Sequence, residues 1–183
     1  NDEQLSGAPT TDIFEEERVN KGFYNLILVD MSGSMDGEPF RLVCHAVEML
    51  KAALKFPFTM IDLFGFRGGD SPGDVWIYRY DRNCKGYIGM ANRRTRDGEH
   101  HFPVNCGGIT PMNSALHVSL AHCARQPSGM VKRLTLLTDG SPYQMKQSGR
   151  QIPAFMLRQF VRKEILWGHS KGISTQSLLI GDG

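Results

Sequence analysis

The chain has 183 residues, 40% of them hydrophobic and 22% charged, with a formal net charge of +2. That composition suits one folded domain with a substantial core and excludes wholesale disorder. The near-balanced charge argues against a dedicated nucleic-acid binder, and no apolar run approaches the roughly 20 residues needed to span a bilayer.

In chain order, residues 1–20 carry Asp2, Glu3, Asp12 and the run Glu15-Glu16-Glu17 with little apolar content. They read as a flexible acidic lead-in to a domain over 21–183, and they lack the basic and apolar regions of a signal peptide. Phe23–Asp30 is a predicted strand whose unbroken apolar run, Leu26-Ile-Leu-Val29, suits burial on both faces of a parallel sheet. Gly37-Glu38-Pro39 then opens a helix through about Lys55, with Pro39 in its first turn. Val43, Val47, Leu50 and Leu54 fall at helical spacing and are expected to face the sheet.

Thr59–Phe66 reads as a second strand, apolar from Met60 to Phe64 apart from Asp62, and a Gly/Ser/Pro turn cluster follows it. Val75–Tyr80 reads as a third strand, at an edge. Residues 81–105 are polar, basic and aperiodic, and predict a long surface insertion. Pro111–Arg125 is a predicted helix with Leu116, Leu120 and Cys123 on one face. Arg133–Thr138 is another buried strand, Pro153–Trp167 an amphipathic helix with Leu157, Phe160, Val161 and Ile165 inward, and Thr175–Ile180 a last strand. The chain begins without methionine and stops just after that strand, which reads as a fragment truncated at its C-terminus. Strands alternating with helices imply an α/β fold of three layers, a mostly parallel central sheet with helices on both faces.

Three loops carry the chemistry. Asp30-x-Ser32-Gly-Ser34 follows the first strand, Gly107-Gly108-Ile109-Thr110-Pro111 leads into a helix, and Thr138-Asp139-Gly140 ends a second buried strand. Open α/β sheets bind ligands beyond the carboxyl ends of their strands, so Asp30 and Asp139 can be neighbours there despite their separation in sequence. Carboxylates with several hydroxyls make a seat for a hard cation that prefers oxygen ligands. The first loop taken alone also suits a turn that caps the next helix.

These three elements, in this order, resemble the von Willebrand factor A (VWA) family and its metal-ion-dependent adhesion site, over about residues 22–183. The resemblance implies a Rossmann-like fold and a Mg²⁺ or Mn²⁺ ligated by Ser32, Ser34 and Thr110, with Asp30 and Asp139 acting directly or through water. It also implies a protein partner that supplies an acidic residue to the metal. Within the family, Ser32-Gly-Ser34-Met35-Asp36-Gly37-x-Pro39 and Leu134-Thr-Leu-Leu-Thr-Asp139-Gly-Ser-Pro142 are similar to the C-terminal domain of CobT-type cobaltochelatase subunits. That branch implies a non-catalytic, cytoplasmic docking module that works with an AAA+ ATPase or chelatase subunit, of the kind that inserts cobalt into a corrin ring, or within a MoxR-type remodelling complex.

Other readings compete with it. Extracellular adhesion is the alternative function, set against by four cysteines (Cys44, Cys84, Cys106, Cys123) without evident pairing and by the lack of a signal peptide. A metal-dependent hydrolase finds no Walker A loop, HExxH motif or Ser/His/Asp assignment, and no catalytic residue is assigned. His45, His117 and His122 lie on predicted helices and read as surface or hydrogen-bonded residues; His100-His101 in the insertion reads as a solvated pair. Arg79, Arg82, Lys85, Arg93, Arg94 and Arg96, interleaved with Tyr78, Tyr80 and Tyr87, offer a basic and aromatic set for single-stranded nucleic acid. The small net charge favours a solvated loop instead.

Overall fold

A computed structural model describes residues 22–53, 58–69, 73–80, 87–89, 106–140, 142–146 and 148–180. The acidic lead-in, His100-His101, Cys84 and most of the basic insertion lie outside the described residues. The elements are β1 (Phe23–Asp30), a short 3₁₀ turn (Gly33–Met35), α1 (Glu38–Ala53), β2 (Thr59–Gly68), β3 (Val75–Tyr80), β4 (Tyr87–Gly89), α2 (Met112–Ala124), β5 (Val131–Thr138), α3 (Ala154–Ser170) and β6 (Ile173–Leu179).

The described strands form one sheet in the order β4-β3-β2-β1-β5-β6. β1 pairs in parallel with β2 and β5, and β5 pairs in parallel with β6. Parallel neighbours need a long crossover, and α1 and α3 supply it for β1–β2 and β5–β6. The β2–β3 and β3–β4 pairs are antiparallel. Val75–Tyr80 is therefore not the sheet edge that the sequence suggested: Tyr87–Gly89, inside the expected insertion, pairs outside it.

Side chains alternate along a strand, and β1 divides its apolar residues accordingly. Tyr24, Leu26 and Leu28 join a core with Met112, Leu116, Leu120 and Cys123 of α2, against which Val161 and Ile165 of α3 pack. Ile27 and Val29 join a second core with Val43 and Val47 of α1. Helices thus cover both faces of a mostly parallel sheet, as the strand and helix alternation predicts. Leu50 packs partly against its core, while Leu54 lies outside the described residues. On α3, Leu157 is buried, but Phe160 keeps 38% of its surface exposed rather than facing inward. The stripe that α3 buries is narrow, running through 157, 161 and 165.

The chain leaves β1 toward β2, β3 and β4 on one side and returns to β5 and β6 on the other. The topological switch point of this sheet lies between the carboxyl ends of β1 and β5, where α/β sheets form a ligand crevice.

Candidate functional site

Asp30 closes β1 at that switch point and is fully buried. Both carboxylate oxygens have donors. Ser32 donates its backbone N–H to Oδ1 at 2.9 Å, and Thr138 on β5 donates its hydroxyl to Oδ2 at 2.6 Å. Burial pushes the Asp30 carboxyl above its usual range; the bonds from Thr138 and Ser32 pull it down, and the charge of Asp139 adds to the rise. Two carboxylates are thus held within electrostatic reach of each other, an arrangement that a cation would relieve.

Backbone hydrogen bonds stitch the three loops together. Gly107 donates to the Met31 carbonyl at 2.9 Å, and Gly33 donates to the Gly108 carbonyl at 3.1 Å. The third loop joins through Tyr143, whose N–H reaches the Thr110 carbonyl at 2.9 Å. Gly108 has φ +71°, and a Cβ there would stand 2.9 Å from the Gly68 carbonyl oxygen, so close approach to β2 requires glycine. On the same side, Gly68 donates to the Ile109 carbonyl at 2.8 Å.

The hydroxyls of Ser32 and Ser34 lie 3.2 Å apart, one on a buried residue and one on an exposed residue. Thr110 is buried at the rim and Asp139 is half-buried. The structure therefore carries Asp30, Ser32, Ser34, Thr110 and Asp139 to the end of the sheet where β1 and β5 terminate. Among the described residues, no group of three or more His, Cys, Asp or Glu is placed to hold a metal ion. A cation here would rest on hydroxyls with two carboxylates behind them. That all-oxygen set fits a hard ion such as Mg²⁺ or Mn²⁺ that keeps some of its waters. With both its oxygens taken, Asp30 suits contact through water or through Ser32. Cys106, beside the site, is a poor competitor as a ligand: burial, reinforced by Asp36 and Asp30, pushes its thiol up to about 11.

Sequence reasoning missed two contributors. Thr138 precedes the expected Asp139 and anchors Asp30, a pairing that only the β1–β5 register reveals. Arg67, near the end of β2, stacks its guanidinium 4.9 Å from the Trp76 ring centre and donates from Nε to the Tyr78 hydroxyl at 2.8 Å. Of the residues considered for nucleic-acid binding, Arg79, Tyr78, Tyr80 and Tyr87 fall on β3 and β4, and the others lie outside the described residues. His117 bonds Glu164 at 3.0 Å, and His122 bonds the buried Asp62 at 2.9 Å.

No family model matches the chain, and no curated protein matches it. Solved structures do. The open conformation of the pilus adhesin SpaC from Lactobacillus rhamnosus GG aligns with 86% of this chain and 24% of that one, at 18% identity and a TM-score of 0.56. A second crystal form of SpaC gives 87% and 24% coverage, 19% identity and a TM-score of 0.55. The type V pili tip protein Mfa5 from Porphyromonas gingivalis aligns with 67% of the chain at a TM-score of 0.41, too low to argue from. The chain spans about a quarter of the length of SpaC, and the likeness to SpaC is one of fold.

These findings correct the assignment to the von Willebrand factor A family and to its CobT-type cobaltochelatase branch. No family model matches, and the two solved structures above that share this fold are of a pilus adhesin, not of a chelatase subunit. The reading of a non-catalytic subunit docking on an AAA+ ATPase falls with that assignment, and the family's metal-ion-dependent adhesion site no longer argues for a metal here, which leaves the oxygen donors of the rim as the ground for a cation. The physical reason is that short Asp, Ser and Thr clusters mark strand ends in many open α/β sheets, so they locate a crevice without naming what uses it.

Proposed function

We propose that this chain is the ligand-capturing domain of a surface adhesin, and that it captures its ligand at the crevice between the ends of β1 and β5. The observation that carries the reading is the stitched rim: three loops, held by backbone bonds, gather Asp30, Ser32, Ser34, Thr110 and Asp139 at the topological switch point. The shared fold with the pilus adhesin SpaC supports adhesion over the intracellular readings.

In this reading Ser32, Ser34 and Thr110 hold a Mg²⁺ or Mn²⁺, backed by Asp30 and Asp139. The bound cation would supply positive charge to attract a ligand carboxylate. The protein's own part is to fix the donors in advance. Thr138 and the Ser32 N–H orient the Asp30 carboxylate, and the Gly107–Gly108 step holds the hydroxyl loops in register. Preorganisation of this kind lowers the ordering cost of binding. The partner is a protein bearing an acidic side chain, outside the cell. Among the described residues no helix is long and apolar enough to cross a membrane.

Adhesion to a panel of immobilised extracellular-matrix proteins tests the reading. Binding is expected in Mg²⁺, lost in EDTA and lost in a Ser32→Ala/Ser34→Ala variant. Equal binding in EDTA, or by that variant, contradicts it.

A further inference from the structure

We infer that Arg67 is a second anchor for the ligand, gripping a carboxylate beside the hydroxyl and acid cluster; this rests on the reading that the rim captures an acidic ligand. Arg67 lies between two residues that each bond a loop of the site. Phe66 accepts from the Met31 N–H at 2.8 Å, and Gly68 donates to the Ile109 carbonyl at 2.8 Å. Its guanidinium is braced from one side by aromatic rings, 4.9 Å from the Trp76 centre and 6.0 Å from that of Tyr78. The Nε donor is used on the Tyr78 hydroxyl at 2.8 Å, which fixes the plane of the group.

The guanidinium then reaches the glycine step of the rim. A Cβ on Gly107 would lie 3.0 Å from an Arg67 terminal nitrogen, so any larger residue there would crowd it. Its charge is felt at Cys106, where it opposes the charges of Asp30 and Asp36. Among the described residues no carboxylate pairs with Arg67. Arginine braced against an aromatic ring presents its remaining donors in a fork that matches a carboxylate. An acidic side chain of a protein ligand fits that fork. A neutral amide of the same shape does not, because it loses the charge and one acceptor.

The test uses two titrations followed by backbone amide spectra: Mg²⁺ alone, and a short blocked peptide, Gly-Asp-Gly, against its Gly-Asn-Gly counterpart. The probe signals are the Gly107 and Gly108 amides and the Trp76 indole N–H. Arg67→Met keeps the apolar stem over Trp76, and Arg67→Lys keeps the charge without the fork. Arg67→Met is expected to weaken the aspartyl peptide about tenfold, the worth of one charge-assisted hydrogen bond, with Arg67→Lys between. It should leave the asparaginyl peptide unchanged and Mg²⁺ binding unweakened, since it removes a positive charge near the cation, and retained Mg²⁺ binding certifies that the rim is folded. If the wild-type protein binds Mg²⁺ but its aspartyl-peptide affinity is the same in Arg67→Met, or no shifts arise with either peptide, the anchor is overturned while the cation seat stands. If Mg²⁺ does not bind but the aspartyl peptide does, and Arg67→Met abolishes that, the anchor stands and the cation reading fails.

Discussion

Thr138 on β5 donates its hydroxyl to the Asp30 carboxylate on β1 at 2.6 Å, joining the two strands that flank the switch point. The bond lies in the buried floor of the rim and ties an acid to the strand carrying the second acid, Asp139. Thr138→Val keeps the shape and removes the donor. Because hydrogen bonds to charged groups contribute about 1.5–3 kcal/mol, it should lower stability in EDTA by about 2 kcal/mol. Urea unfolding measures this. A change within about 0.5 kcal/mol, the usual size of a surface substitution, would show that the bond does not hold the floor.

The same carboxylate makes the metal-free protein sensitive to pH. Its folded value lies above the ordinary 3.8, chiefly through burial. The folded state therefore keeps this proton to higher pH than the unfolded chain does. The associated stability is full below 3.8 and is lost as pH rises through the raised folded value. Thermal unfolding in EDTA should show wild-type stability declining across that window relative to Asp30→Asn. Parallel pH curves for the two proteins would rule out Asp30 as the source.

Gly108 combines a positive φ with a Cβ position 2.9 Å from the Gly68 carbonyl oxygen. Gly108→Ala cannot sit there without moving the loop. It is expected to cost about 1–3 kcal/mol, the usual range for strained backbone positions, and to weaken cation binding as the Gly33–Gly108 bond is pulled out of register. Calorimetric titration with Mn²⁺ alongside urea unfolding separates the two effects. Unchanged stability and affinity would mean that the close approach to β2 is not needed.

Much of this architecture is legible in the residues. The run Leu26–Val29 announces β1, and its abrupt end at Asp30 places the acid at the rim. The 3.6-residue spacing of Val43, Val47 and Leu50 gives α1 and its inward face. What sequence could not supply was pairing. Buried Tyr24 and Asp62 and partly buried His122 form a cluster, with bonds of 2.7 and 2.9 Å to Asp62, yet they come from β1, β2 and α2. Asp62 appeared only as a lone acid in an apolar strand, because its partners are 38 and 60 residues away. The Thr138–Asp30 bond and the placement of Arg67 likewise depend on strand register. Family assignment failed for a related reason, since a few strand-end residues carry the crevice but not its user.

That cluster yields a prediction remote from the rim. Tyr24→Phe deletes the 2.7 Å bond to a fully buried carboxylate. It should destabilise the protein by about 2 kcal/mol while leaving Mn²⁺ binding unchanged. Loss of Mn²⁺ binding in a folded Tyr24→Phe protein would mean that the two regions are coupled.

The thiols offer a further check. Burial pushes Cys106 up to about 11 and Cys123 up to about 12, so neither is a thiolate at neutral pH. Iodoacetamide at pH 7 should leave both unmodified in the folded protein and label them after unfolding, read by peptide mass spectrometry. Rapid labelling of folded Cys106 would contradict the partly buried, neutral thiol beside the site.

The most direct measurement is Mn²⁺ binding to the metal-free protein, followed by electron paramagnetic resonance, in wild type and in Ser32→Ala/Ser34→Ala. Saturable binding to wild type, lost in the double variant while its urea midpoint is kept, is the result expected if the rim is a hydroxyl-lined cation seat. No binding to wild type, or equal binding to both proteins, would contradict it.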